Sequence, residues 1–135
     1  MSKYTEITPE LMELANLCKK NIIDSELYTK YDVKRGLRDI SGKGVLTGLT
    51  EISEILSYTL VDNDYVPCEG QLYYRGVNVE QIIDGFINDD RFGFEEITYL
   101  LLFGDLPKED QLSSFIKLLE NNRELPKSFV RDVIM

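Results

Sequence analysis

The side chains available for chemistry are set first by an absence: among 135 residues there is no histidine. That excludes Ser-His-Asp and Cys-His catalysis, HExxH zinc chemistry and any step using imidazole as acid or base. Carboxylates, lysines, tyrosines and two cysteines remain. Asp89-Asp90 and Glu95-Glu96 are adjacent pairs. Sequence neighbours do not face each other on a helix, so solvated or helix-capping roles are expected for them rather than paired acid–base work. Cys18 and Cys68 lie far apart with no CxxC spacing and no histidine to complete a metal set. Two reduced thiols are the expectation, with no metal site and no cofactor. No residue is assigned a catalytic role.

The one basic cluster of the chain is Lys34, Arg35, Arg38 and Lys43, in a loop that carries four glycines between Gly36 and Gly48. Arginine on a glycine-bounded loop can fork onto phosphate, and a solvated loop is the plainer alternative. Gly42-Lys43-Gly44 is similar to the end of a P-loop. The glycine spacing is one residue too long, however, and Gly44 stands where the magnesium-binding hydroxyl belongs. Gly42, Gly44 and Gly48 likewise miss the dinucleotide fingerprint by one position. Arg75 is expected to be structural, bonding loop carbonyls or a carboxylate. Tyr73 and Tyr74 should point to opposite faces of a strand, one toward core and one toward the rim.

These residues need elements to position them. Thr8-Pro9 suits a helix start, with Thr8 as cap and Pro9 where no amide donor is needed. Leu11, Leu14, Ala15, Cys18 and Ile22 follow at helical spacing. Asp24 or Ser25 starts a second short helix. Thr47–Leu60 reads as extended, with a helical turn near Ile55 as the alternative, and Asp62-Asn63-Asp64 is turn chemistry. Pro67 and Gly70 are expected to bracket a second bend, leaving Gln71–Arg75 as a short strand that pairs with Thr50–Leu60. Asn78 and Gln81 have capping-box spacing, and Val77 and Ile82 suit a hydrophobic staple. The helix they start should bury Val79, Ile82, Ile83 and Phe86. Phe94–Phe103 is apolar nearly all round and ends on Gly104, a left-handed stop. Lys108–Arg123 is amphipathic through Leu112, Phe115, Ile116 and Leu119. A last pattern from Pro126 carries Phe129, Val130, Val133 and Ile134 and reaches Met135 uncapped, which reads as a chain cut within an element.

Composition bounds the partners. Hydrophobic residues make up 43% and the formal net charge is −9. A chain this acidic lacks the positive field that nucleic acid or anionic membranes require, so neither is expected as a partner. The longest apolar run, Tyr99 to Phe103, is too short to span a bilayer, and the polar N-terminus lacks a secretory core. A soluble cytoplasmic protein is expected.

An ordered set of segments then resembles the citrate synthase family. It comprises Gly36-Leu37-Arg38, Gly44-Val45, Gly48-Leu49-Thr50-Glu51-Ile52-Ser53 and Glu69-Gly70-Gln71-Leu72-Tyr73-Tyr74-Arg75-Gly76. Phe94-Glu95-Glu96, Leu101-Leu102-Phe103-Gly104-Asp105-Leu106-Pro107 and Arg123-Glu124-Leu125-Pro126 continue it in order. The resemblance implies a mainly α-helical fold with a small antiparallel β ribbon. Residues 34–135 would form the N-terminal part of the large domain and residues 1–33 a helical extension. It implies an acyltransferase of the tricarboxylic acid cycle condensing acetyl-CoA, a substrate, with oxaloacetate; 2-methylcitrate synthase, using propionyl-CoA, is the close variant. In that family the chemistry rests on an aspartate and histidines, for which no position here matches. The chain is therefore expected to be inactive alone and to need the remainder of the subunit, in an enzyme that is a homodimer. Arg38 resembles a family position near the CoA phosphates. A free-standing non-catalytic interaction module is the reading from a different class. Apolar surface on the Phe94–Phe103 and Phe129–Ile134 segments is expected to drive self-association.

Overall fold

The computed structural model describes residues 6–18, 22–34, 36–38, 45–125 and 127–134. Two helices, α1 (Pro9–Cys18) and α2 (Ser25–Lys30), precede strands β1 (Ser53–Val61), β2 (Asp64–Tyr74) and β3 (Val77–Asn78). Helices α3 (Val79–Asn88), α4 (Phe94–Phe103) and α5 (Glu109–Asn121) follow, with a π-helical turn at Val130–Ile134. The described residues are thus mainly helical with one antiparallel sheet, ordered β1-β2-β3.

Local chemistry explains the boundaries. The Thr8 hydroxyl accepts from the Leu11 amide, and the Asp24 carboxylate caps α2 by accepting from the Glu26 amide at 2.9 Å. Helices α2 and α3 end alike. Asp32 (φ 51°) and Asp90 (φ 50°) are left-handed, and the amides of Val33 and Arg91 return to the carbonyls of Tyr28 and Phe86. This is the Schellman closure with aspartate where glycine is usual. Asn78 caps α3 by accepting from the Glu80 amide at 2.8 Å, the second residue of the helix rather than the third. Gly104 (φ 91°) ends α4 as expected and donates to the Leu100 carbonyl.

The ribbon is longer than the sequence suggests. Asp62 (φ 50°) and Asn63 (φ 69°) make a two-residue turn of the type I′ pattern, which matches the twist of the strands it joins. Beyond it β2 continues as one strand through Pro67 and Gly70, which were expected to bracket a bend between separate segments. The two residues instead fall at a register irregularity: β1 advances from Leu56 to Tyr58 while β2 goes back from Gln71 to Pro67. Two additional residues on β2 absorb the break. Because that number is even, the alternation of faces is kept. No helical turn forms at Ile55, which pairs with Leu72.

The core lies in the helices. Tyr99, Phe103 and Phe115 meet with ring centroids 4.5–5.9 Å apart, two of the three pairs edge to face. Leu14 and Leu17 of α1 and Leu119 of α5 pack on this cluster. The α1 stripe therefore turns on Leu17, while Ala15, Cys18 and Ile22 are exposed. Leu100 is fully buried, as is most of Ile82, while Ile83 is exposed. Phe94, at 73% exposure, and Leu102 break the expectation of a helix buried all round, and Val130, Val133 and Ile134 also face solvent.

Phe115→Ala removes the ring that closes the aromatic cluster and should cost about 3–5 kcal/mol. Ile87→Ala, at an exposed α3 site, should cost under ~1 kcal/mol. Urea melts followed by circular dichroism measure both.

Candidate functional site

Among the described residues, contacts of three kinds join the ribbon and α3 to the α1–α4–α5 group. The first is a close approach of Phe86 to Gly93, where an added Cβ would lie 2.3 Å from the ring. Any side chain at position 93 would displace Phe86, so glycine is required there. The second is ionic. Arg91 binds Glu96 through its guanidinium terminus and Asp89 at 3.1 Å through Nε. Glu96 is only 9% exposed, and Glu95 pairs with Arg123 at 3.1 Å. The two glutamates are thus paired rather than solvated, and both sit in the first turn of α4, where the helix dipole favours negative charge.

The third contact is made by Arg75. It occupies the Arg75-Gly76 turn between β2 and β3 with φ 50°, and its amide donates to the Ile52 carbonyl. Its Nε and Nη2 donate to the Leu101 carbonyl at 3.2 and 2.8 Å. That carbonyl belongs to the last turn of α4, whose acceptors have no partner within the helix. A guanidinium there also complements the negative end of the dipole. Arg75 is structural, as expected, but its partner is a helix end rather than a loop.

The basic loop is described only at its neck. Lys34 and Val45 donate their amides to the carbonyls of Leu46 and Leu37, at 2.8 and 3.4 Å, so the two ends are held together. Arg38 is exposed at this neck. Lys34 pairs with Asp32 at 2.5 Å. Arg35, Lys43 and the Gly42-Lys43-Gly44 segment lie outside the described residues. Tyr73 and Tyr74 are both half-buried, so neither is a simple core residue. Cys18 and Cys68 are free and exposed.

Between α1 and α5 a groove of about 520 Å³ opens over Tyr99, with Glu10, Glu13 and Asp110 on its rim against a single Lys117. Burial, and then the charges of Asp105 and Asp110, push the Tyr99 hydroxyl above its ordinary range. It is a neutral hydroxyl at physiological pH, and the two carboxylates oppose its ionisation. The rim repels anions such as CoA phosphates. Sequence reasoning missed the groove because Tyr99 reads only as one apolar position among many. Among the described residues, no helix is long and apolar enough to cross a membrane.

The family profile described as citrate synthase, C-terminal domain, matches residues 37–135. The chain therefore belongs to the citrate synthase family. Among curated relatives, 2-methylcitrate synthase 1 of Corynebacterium glutamicum is 34% identical over 83 residues, covering 62% of this chain and 16% of the relative. Peroxisomal citrate synthase 1 of Arabidopsis thaliana is 33% identical over 78 residues, covering 58% and 14%. The match thus spans 16% and 14% of the length of these two relatives. No solved structure matches it significantly.

Two outcomes follow for these contacts. Arg91→Met leaves Glu96 buried without its partner and should cost about 2 kcal/mol, less than the ~3–5 kcal/mol of a fully buried pair because Arg91 is part-solvated. Adding Glu96→Leu should recover much of that loss in a double-mutant cycle. For Tyr99, the folded state holds the phenolic proton longer than the unfolded chain does. Its contribution is complete below about pH 10 and is lost as pH rises through the higher folded value. Tyr99→Phe should flatten the alkaline fall in stability, and absorbance at 295 nm should lose one tyrosine ionisation from the alkaline part of the titration.

Proposed function

We propose that this chain provides the scaffold portion of a citrate-synthase-type acyltransferase and does not perform the condensation by itself. The observation that carries this reading is the family match over residues 37–135 in a sequence without histidine. Enolising a thioester and polarising a ketone require prepositioned acid, base and hydrogen-bond donors. The described residues bring together structural ion pairs and an acidic groove instead. The reaction would be condensation of acetyl-CoA with oxaloacetate to citrate and free CoA, with acetyl-CoA as substrate and no bound cofactor. The catalytic groups would come from the remainder of a citrate synthase subunit, in a homodimeric enzyme of the cytoplasm. The likeness to 2-methylcitrate synthase 1 favours propionyl-CoA as the second acyl donor to try.

Arg38 is the residue of this chain assigned to ligand in that assembly. Held at the closed neck of the basic loop, its guanidinium would contact a CoA phosphate, the geometry for which a planar fork is suited.

The purified chain, given acetyl-CoA or propionyl-CoA with oxaloacetate, should release no thiol. Sustained turnover would overturn the scaffold reading. Grafted in place of the equivalent segment of the Corynebacterium glutamicum relative, the chain should support condensation. There Arg38→Ala should raise KM for the acyl-CoA about 10-fold, corresponding to ~1.4 kcal/mol, with kcat little changed. An unchanged KM would remove Arg38 from the CoA site.

A further inference from the structure

The β1–β2 ribbon is exposed on both faces. On one lie Tyr58 and Leu60 beside Tyr65 and Pro67, and on the other Val61, Val66 and Ile55; Ile55 and Tyr65 are 74% and 72% exposed. A two-stranded ribbon is marginal in water and becomes stable with further strands or a packed face. Only its base is supplied with a third strand, because β3 pairs with Tyr73 and Tyr74 alone.

Its two edges differ. The β2 edge is guarded: Pro67 donates no backbone hydrogen bond, and the register break between Gln71 and Pro67 interrupts the ladder. The β1 edge has no such guard. Ser53–Val61 runs nine residues with no proline, no lysine and no additional residue, and Glu54 is its single charge. Among the described residues, β2 is its one neighbour in the sheet. An edge of this kind is a template for another strand.

We infer that β1 pairs antiparallel with β1 of a second copy of this chain, about a twofold axis at Ser57, to make a continuous four-stranded sheet. The strand is complementary to itself in that register. Ile55 falls opposite Thr59, Leu56 opposite Tyr58, Glu54 opposite Leu60 and Ser53 opposite Val61. No like charges meet: the two Glu54 carboxylates stand about 20 Å apart, beyond the screening length of roughly 10 Å at ordinary ionic strength. The pairs flanking the axis, Ile55 with Thr59 and Leu56 with Tyr58, combine β-branched, aromatic and aliphatic residues, the combinations that stabilise sheets. A twofold pairing uses up both β1 edges, and the guarded β2 edges stop further growth. The product is a closed dimer rather than a filament. This inference is independent of the condensing activity proposed above.

The test uses the full chain with Cys18→Ser and Cys68→Ser, which removes both native thiols. In this background Ser57→Cys places two thiols across the twofold axis, within the Cα separation a disulfide spans. Ser53→Cys places them about 27 Å apart. Under mild oxidation the Ser57→Cys chain should convert to a disulfide-linked dimer and the Ser53→Cys chain should not. Sedimentation equilibrium of the unmodified chain should show a reversible dimer. Thr59→Lys should weaken it at least about 10-fold with the helical circular dichroism unchanged. A monomeric chain, equal cross-linking at positions 53 and 57, or a dimer indifferent to Thr59→Lys would overturn the inference.

Discussion

The guanidinium of Arg75 ties the ribbon to the last turn of α4 and is the longest-range of the contacts that hold the two packing groups in register. Arg75 stands at the far end of the long ribbon and places both donors on the Leu101 carbonyl, at the last turn of α4. Its left-handed backbone costs about 1–2 kcal/mol for a residue other than glycine. Charge-assisted bonds to an otherwise unpaired carbonyl offset that cost by a similar amount, ~1.5–3 kcal/mol. The opposite end of α4 is fixed by Arg91 on Glu96 and by the approach of Phe86 to Gly93. Helix α4 is thus held at both termini by the ribbon-and-α3 group, while its aromatic face packs on α1 and α5.

This arrangement explains why so many charged residues are structural. Arg75, Arg91, Glu95, Glu96 and Arg123 are all engaged in contacts that join elements. The acidic excess appears on surfaces, including the rim above Tyr99. The proposed scaffold role rests on the family match and on a sequence without imidazole, and these arginines held on a helix end and on carboxylates agree with it.

Much of this was legible in the sequence where a single residue dictates local geometry. Thr8, Asp24 and Asn78 announce their helices because their side chains mimic a backbone acceptor, and Gly104 ends α4 because it tolerates the left-handed region. Asp62-Asn63 marks the hairpin for the same reason. The Leu112, Phe115 and Leu119 stripe identifies the buried face of α5. What could not be read involves partners distant in sequence. Arg75 reaches a carbonyl 26 positions away, and Glu95 meets an arginine beyond α5. No local pattern encodes either. Pro67 and Gly70 were misleading because a register break accommodates them within a strand as readily as a bend does. Arg38, the proposed phosphate contact, is exposed beside the loop neck closed by the Lys34–Leu46 and Val45–Leu37 backbone bonds.

The dependence of both packing groups on Arg75 is tested most directly by native-state hydrogen exchange on the wild-type chain and on Arg75→Asn. Asparagine tolerates the left-handed turn but cannot reach Leu101, so the substitution isolates the clamp from the backbone. The account predicts that amides of the last turn of α4 and of the β2–β3 turn lose protection together, by roughly 10–100-fold for a loss of ~1.5–3 kcal/mol. Loosening confined to the turn, with α4 protected as in the wild type, would contradict it.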